Sequence, residues 1–363
     1  MPPRCKSFRR CTFSASPIPS LLTRSAPTPE SETSMSVELE NGTEELSTFV
    51  SKLKSPIETL DLSIFSNEDT SDPMVALSPI SASLKTLKVG SVDLRGAVVI
   101  FPNVTTLQLD IIAMKDLEPL LYSFPNLRRL TFHHPTGTTF EKGDGRIRVN
   151  NQAAQRRWQR WRSLDLLEGA LPALYVFAVA CDVQLVKIAG RFTPNALPKL
   201  HAVLQDTRPS SLTLHDVDAR QVHAPLMGTL LPPALKISRL NLVISFIWEE
   251  TCVDLVLSQL YNHLGDYSIS QLDIELRCKL CPCRRRIGEE GTANCDPSVH
   301  DNLSLNGNVL VGLDLHVVAQ HLFERIGTLK MLQLQLYRVN PYSASGGSWK
   351  VIRDGETRSL VSV

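Results

Sequence analysis

A short apolar pattern, apolar-x-x-apolar-x-apolar, recurs along most of this chain and constrains its fold more than any other feature. Successive copies lie between 19 and 41 residues apart, and repeats on this scale are typical of solenoids and repeat arrays. There are eleven copies: IETLDL (57–62), LKTLKV (84–89), VTTLQL (104–109), LRRLTF (127–132), WRSLDL (161–166), VQLVKI (183–188), PSSLTL (209–214), ISRLNL (237–242), ISQLDI (269–274), LVGLDL (310–315) and LKMLQL (329–334).

The residue between the last two apolar positions is polar in every copy, as the alternation of a half-buried β-strand requires. Helix-like segments lie between copies, at 43–54, 115–124, 170–180, 250–264 and 316–327. This alternation predicts an α/β fold, a leucine-rich-repeat solenoid of irregular repeats with a curved parallel sheet on its concave face and helices on its convex face. The alternative is a doubly wound α/β domain, which rarely keeps one strand motif through so many copies.

The polar position of each strand would lie in one row along the concave face, where solenoids bind extended partners. We predict that this face binds a protein, because the row mixes both signs of charge with neutral hydrogen-bonding groups. The predicted row contains Asp61, Lys88, Gln108, Thr131, Asp165, Lys187, Thr213, Asn241, Asp273 and Asp314. Flanking positions add Thr106, Asp110, Arg129, His133, His215, Arg239, Glu275 and His316.

Composition divides the 363-residue chain into three parts. We predict a disordered N-terminal tail at 1–42, a solenoid at 43–340 with insertions at 133–160 and 277–308, and a C-terminal extension at 341–363. Residues 1–29 carry basic and no acidic side chains, whereas residues 30–50 carry the reverse. The basic part also has the composition of a mitochondrial transit peptide, but its prolines oppose the amphipathic helix that such a peptide needs.

Charge is nearly balanced, since 38 lysines and arginines face 37 aspartates and glutamates for a net charge of +1. We therefore expect neither a nucleic-acid partner nor a membrane partner. The run RRWQRW (156–161) resembles a nucleic-acid patch, but Trp161 occupies an apolar repeat position and is better explained as core. No apolar run approaches the roughly 20 residues of a bilayer span and no secretion signal is visible, which predicts a cytoplasmic or nuclear protein.

A cysteine-rich segment, LRCKLCPCRRR (276–286), is the sharpest local motif. A tetrahedral zinc site is one interpretation, with His300 near its candidate ligands Cys278, Cys281, Cys283 and Cys295. A redox-sensitive loop is a second, because the adjacent arginines would lower the pKa of the thiols. A plain insertion between two repeats is the third. Apart from this speculative zinc site we expect no cofactor.

Several segments carry a resemblance: FPNV (101–104), FPNL (124–127), the run at 161–188, DTRPSSLTL (206–214) and SWKVIRDGE (348–356). They are similar to the leucine-rich-repeat regions of fungal, especially basidiomycete, F-box-type proteins. In that family the repeats recruit a substrate, and an F-box docks the adaptor of a cullin ubiquitin ligase. The resemblance implies a non-enzymatic substrate receptor with those two partners.

No F-box pattern is recognisable in residues 1–55, which keeps two alternatives open. One is a structural repeat protein with no ligase role. The other is a zinc- or redox-dependent regulatory protein that uses the loop from Cys278 to His300. No serine, cysteine or carboxylate has a base that the sequence positions beside it, so we predict no catalytic residues.

Overall fold

The computed structural model describes most of the repeat region as two compact units, residues 1–162 and 163–363. The described residues are 34–39, 43–51, 56–64, 73–90, 99–110, 116–133, 144–158, 161–190, 192, 196–219, 230–232, 235–246, 253–278, 313–338, 347–354 and 357–362.

The first unit contains parallel strands that pair in chain order. The strands are β1 (Ser34–Leu39), β2 (Thr59–Ile64), β3 (Thr86–Gly90), β4 (Thr106–Asp110) and β5 (Arg129–His133). Its helices are α1 (Thr43–Ser51), α2 (Pro73–Ala76), a 3₁₀ turn (Ser78–Ile80), α3 (Glu118–Ser123) and α4 (Asp144–Trp158).

The second unit also pairs its strands in chain order, and the last two are antiparallel. The parallel strands are β6 (Ser163–Ala170), β7 (Asp182–Ala189), β8 (Ser211–Asp218), β9 (Arg239–Phe246), β10 (Gln271–Cys278) and β11 (Met331–Arg338). The antiparallel strands are β12 (Gly347–Asp354) and β13 (Thr357–Ser362). The helices are α5 (Leu171–Phe177), α6 (Leu197–Thr207), α7 (Val253–Leu264) and α8 (Leu315–Arg325).

Both units are therefore α/β, with helices between parallel strands, as the repeat pattern predicts. A parallel pair needs such a crossover because the chain must return to the same end of the sheet before the next strand. The predicted helices at 43–54, 115–124, 170–180, 250–264 and 316–327 are confirmed as α1, α3, α5, α7 and α8, within a few residues at each end.

The apolar positions of the repeat form two buried columns that run from strand to strand. In the first unit Leu60, Leu87, Leu107 and Leu130 are in register, and each is at most 1% exposed. The second unit has an equivalent column of its own, which contains Val186, Leu212, Leu240, Leu272 and Leu332. Each fully buried leucine contributes about 1.5–3 kcal/mol, so these columns are a large part of the core.

The motif Phe-Pro-Asn forms the turn that precedes β4 and β5. Phe101 and Phe124 are fully buried, with ring centroids 5.3 Å apart. The side-chain amides of Asn103 and Asn126 each donate to a main-chain carbonyl of the preceding repeat, at 2.7 and 2.8 Å. The phenylalanine and the asparagine thus fix successive repeats to one another in the core and at the surface.

Serines play the equivalent part before the strands of the second unit. The hydroxyl of Ser238 donates to the Ser210 carbonyl at 3.0 Å, and the hydroxyl of Ser270 donates to the Ser238 carbonyl at 2.9 Å. The same two carbonyls also accept the backbone amides of Ser238 and Ser270. Each turn is therefore attached to the next by a backbone and a side-chain hydrogen bond.

The structure describes elements in three segments for which the sequence predicted none. The predicted tail at 1–42 contains β1, which pairs with β2 over its whole length. The predicted insertion at 133–160 contains α4, which packs against α3. The predicted extension at 341–363 contains β12 and β13, and β12 adds to the edge of β11. The apolar repeat pattern is absent from all three segments, which is why sequence periodicity did not locate these elements.

Candidate functional site

In each unit the polar positions of the repeat form a row on the sheet face opposite the buried columns, and we call this face of each unit the polar face. In the first unit Asp61, Lys88, Gln108 and Thr131 are in register on β2 to β5. The side chains of Asp61 and Lys88 are 44% and 42% exposed, and those of Gln108 and Thr131 are half-buried. Neighbouring strands lie about 4.8 Å apart, so these four predicted residues are adjacent and form a continuous polar strip.

The flanking residues predicted for the first unit also line up. Thr106 is in register with Arg129, and Asp110 is in register with His133. Arg129 and His133 are exposed. Thr106, Arg129 and His133 lie two residues before or after the row, on the same side of the pleat, so they widen the strip.

One ion pair crosses the row in the first unit. Lys88 Nζ lies 3.5 Å from Asp61 Oδ2 on the neighbouring strand. Because both side chains are well exposed, the pair contributes little to stability, about 0–1 kcal/mol. Either charge can therefore be redirected toward a bound molecule at small cost.

The second unit has a polar row of its own, with one correction to the prediction. Lys187, Thr213, Asn241 and Asp273 are in register, as predicted. The residue beside Lys187 on β6 is Glu168, and not the predicted Asp165. Glu168 Oε2 lies 3.5 Å from Lys187 Nζ, which repeats the acid–base pair of the first unit.

The correction at Asp165 has a physical cause in β6. Leu164, Leu166 and Leu167 are all buried, so the strict alternation breaks where Leu166 and Leu167 are consecutive. The sequence is then compatible with two strand registers that differ by three residues. In the structure Leu167 pairs with Val186, which puts Asp165 outside the row.

A second correction concerns Asp314 and His316, which do not lie on a strand. Asp314 is the N-cap of α8, and its Oδ1 accepts the backbone amides of His316 at 2.9 Å and Val317 at 3.3 Å. His316 lies in the first turn of that helix. The tenth apolar copy is therefore not a strand where the structure describes it, and β10 pairs directly with β11. Aspartate before an apolar helical stripe is a strong N-cap sequence, which outweighs the weak strand pattern.

In the second unit, the side chains of the row and beside it differ in their exposure to solvent. Thr213 and Asp273 are only 7% and 8% exposed. Arg239, one strand away from Asp273, has a side chain that is 51% exposed, and its Nη2 lies 3.0 Å from Asp273 Oδ2. The other carboxylate oxygen of Asp273 is buried and accepts no hydrogen bond. An acceptor of this kind is rare in folded proteins, because leaving it unpaired costs about 1–3 kcal/mol.

The predicted flanking residues His215, on β8, and Glu275, on β10, lie two residues beyond the row, and β8 is irregular at this point. The pairing of β8 with β9 shifts after Leu214, and Asp216 has a φ of 60°. Its Oδ1 accepts a hydrogen bond from the Ser245 hydroxyl at 3.1 Å. Glu275 Oε1 accepts one from Arg277 Nε. His215 and Glu275 are half-buried.

Of the four cysteines proposed as metal ligands, only Cys278 lies within the described residues, as the last residue of β10. Cys281, Cys283 and Cys295 lie outside them. Among the side chains that the structure does describe, no group of three or more histidine, cysteine, aspartate or glutamate residues could hold a metal ion.

A different cysteine, Cys181, is a buried free thiol. Burial, and to a smaller extent the neighbouring Asp182 carboxylate, raises its pKa from 9.0 to about 12. Because the thiolate is the reactive form, Cys181 is suited to packing and not to chemistry.

The aromatic residues of the basic run RRWQRW make contacts within the first unit. Trp161 is 5% exposed, and its Nε1 donates to the Phe124 carbonyl at 2.7 Å, which confirms it as a core residue. Trp158 Nε1 donates to Glu118 Oε1 at 3.0 Å, and Arg157 binds the same oxygen at 3.1 Å.

No helix in the described part of the chain is long and apolar enough to cross a bilayer. No protein-family model matches the chain, and no curated protein or solved structure is significantly similar to it. The polar face is therefore identified by its geometry alone.

Proposed function

We propose that the chain is a leucine-rich-repeat solenoid whose polar face is concave and binds a protein partner, without catalysing a reaction. The observation that supports this proposal is the in-register row of polar side chains, Asp61, Lys88, Gln108 and Thr131, on one face of four successive strands. Repeat proteins with such rows present extended surfaces that match extended partners.

The chemistry of the row favours a protein over a polyanion. It pairs acids with bases, at Asp61 with Lys88 and at Glu168 with Lys187, and places neutral hydrogen-bonding groups between them. A nucleic acid or an anionic membrane needs a surplus of positive charge, whereas a protein surface offers both signs and many hydrogen-bonding groups.

The resemblance to F-box-type proteins supports a narrower version of the proposal. In this version the polar face recruits a substrate, and another part of the molecule contacts the adaptor of a cullin ubiquitin ligase. Recovery of the adaptor with the protein supports the substrate-receptor role. Recovery of a partner without the adaptor in repeated experiments favours a repeat protein with no ligase role.

Affinity purification from the native cell, with two charge-matched variants, tests the binding face. The first variant carries Lys88→Glu and Thr131→Glu on the polar face. The control carries Arg146→Glu and Val149→Glu on exposed positions of α4, and it changes the net charge by the same amount. We expect the face variant to lose the partner at least about tenfold, because like charges replace complementary ones, and the control to retain it. Equal recovery by both variants contradicts the proposal.

The zinc- or redox-dependent alternative is favoured by one observation, the Cys-x-x-Cys pair that begins at the end of β10. Metal analysis of the reduced full-length protein in a chelator-free buffer tests it. One equivalent of zinc per chain, lost when Cys278 and Cys281 are changed to serine, supports a zinc site. Clearly less than one equivalent removes the metal interpretation.

A further inference from the structure

We infer that Asp273, in the second unit, is the anchor for a basic side chain, lysine or arginine, of the protein partner. This inference rests on the proposed function, because it names what the polar face recognises at one position. Its basis is the Asp273 Oδ1 atom, which is buried without a hydrogen-bond partner, and the side chains around it.

Only one of the two oxygens of the buried Asp273 carboxylate has a hydrogen-bond partner. The Asp273 side chain is only 12% exposed, Oδ2 accepts from the Arg239 guanidinium at 3.0 Å, and Oδ1 has no partner. A buried ionised oxygen without a donor is costly, so a molecule that brings a donor recovers that free energy on binding. A cationic donor recovers most, because charge-assisted hydrogen bonds are about twice as strong as neutral ones.

Neighbouring strands place other polar side chains in register with Asp273. Thr213 and Asn241 precede Asp273 in the row on β8 and β9. Within the described part of the chain neither side chain is hydrogen-bonded to Asp273 Oδ1. The Asn241 amide, on the strand next to Asp273, provides an acceptor for a remaining proton of an ammonium or guanidinium group, whereas Thr213 lies one strand further away.

Arg239 also provides the route by which a cation reaches Oδ1. Its side chain is 51% exposed, so the guanidinium can turn toward solvent once an incoming basic group takes its place, whereas leaving the carboxylate without a cation would be costly. The incoming basic group then occupies the carboxylate in place of Arg239. Arg239 acts as the internal substitute for the partner's cation when no partner is bound.

A library of random dodecapeptides displayed on phage, selected on the full-length wild-type protein, tests the inference. We expect the selected peptides to share a lysine or arginine. The best peptide is then synthesised with this residue and with glutamine in its place, and both are titrated against wild type and Asp273→Asn. Each single change should weaken binding roughly 30-fold, and the two together no more than either alone, because both remove the same ion pair.

Two further variants separate binding from folding. Asn241→Lys places an ammonium group beside Asp273 from the adjacent strand, so we expect it to abolish peptide binding while it preserves or raises thermal stability. Asp254→Asn removes an exposed carboxylate of α7 and should leave binding unchanged. If Asp273→Asn lowers stability, the Asn241→Lys result still decides the inference.

The outcomes distinguish this inference from the proposed function. Peptides that lose affinity with Lys187→Glu, but are indifferent to Asp273→Asn and Asn241→Lys, overturn the role of Asp273 and leave the polar face as the binding surface. Selection of no specific peptide contradicts both proposals. Peptides without a shared basic residue overturn the inference even if they bind the polar face.

Discussion

At the scale of single residues, Trp161 joins the basic run to the core of the first unit. Its buried Nε1 donates to the Phe124 carbonyl at 2.7 Å, beside the stacked pair of Phe101 and Phe124. Its φ of 49° is unusual for a residue other than glycine. Phenylalanine has the same backbone preference, so Trp161→Phe isolates the loss of the hydrogen bond and of part of the ring.

We expect Trp161→Phe to lower the free energy of unfolding by about 1–3 kcal/mol, from the lost buried hydrogen bond and the reduced packing. Urea unfolding followed by far-ultraviolet circular dichroism measures it. Trp158→Phe is the matched control, because it also loses one hydrogen bond but lies at a half-buried site. Equal effects of the two variants would contradict the assignment of Trp161 to the core.

Cys181 predicts a dependence of stability on alkaline pH. Its pKa is raised from 9.0 to about 12 in the folded protein, mainly by burial. The unfolded chain therefore releases this proton first as the pH rises above 9, and stability that is fully present below pH 9 is lost up to about pH 12. From this thiol alone we expect about 1.4 kcal/mol less stability at pH 10 than at pH 8.

Comparison with Cys181→Ala isolates the contribution of the thiol. Tyr261, whose pKa burial raises from 10.0 to about 12, adds a similar trend, but it is present in both proteins and cancels. Urea unfolding at the two pH values should show a steeper loss for the wild type than for Cys181→Ala. Parallel losses would show that the thiol does not have the raised pKa.

At the scale of elements, Asp314 stabilises the start of α8. Because its side chain accepts two backbone amides of the first turn, Asp314→Ala should cost about 0.5–2 kcal/mol of stability, whereas Asp314→Asn should cost little. Thermal unfolding compares the two variants. Neither variant should change partner recovery, and a loss of partner with normal stability would return Asp314 to the binding row.

The sequence predicts the strands best where apolar and polar residues alternate without interruption. The copies centred on Leu60, Leu87, Leu107 and Leu130 are strands in the expected register. Prediction fails at β6, because consecutive buried leucines allow two registers. It also fails at Asp314, because one motif satisfies both a weak strand pattern and a strong N-cap pattern.

The candidate site is only partly visible in the sequence for a related reason. Alternation tells which side chains leave the buried face, and so it gives Asp61, Lys88 and Gln108 correctly. It carries no information on what covers the other face, so the burial of Thr213 and Asp273 was not predicted. The lack of a hydrogen-bond partner for Asp273 Oδ1 depends on atomic positions, so it is visible only in the structure.

At the scale of the whole molecule, the buried face and the polar face of the repeats have different roles. The buried columns supply most of the stability, and the asparagine and serine hydrogen bonds fix each turn to the one before it. The polar row contributes little to stability, because its ion pairs are partly exposed. Residues that stability does not require are free to be selected for binding a partner.

Site-specific photocrosslinking tests this division most directly. A photoreactive phenylalanine analogue is placed at Gln108 on the polar face or at Val75 on α2, which is 53% exposed, more than the half-buried Gln108. The partner recovered by affinity purification is then crosslinked to each. We expect a covalent complex from Gln108 and none from Val75. A complex from Val75 alone, or equal yields from both positions, would contradict the claim that the polar face is the binding surface.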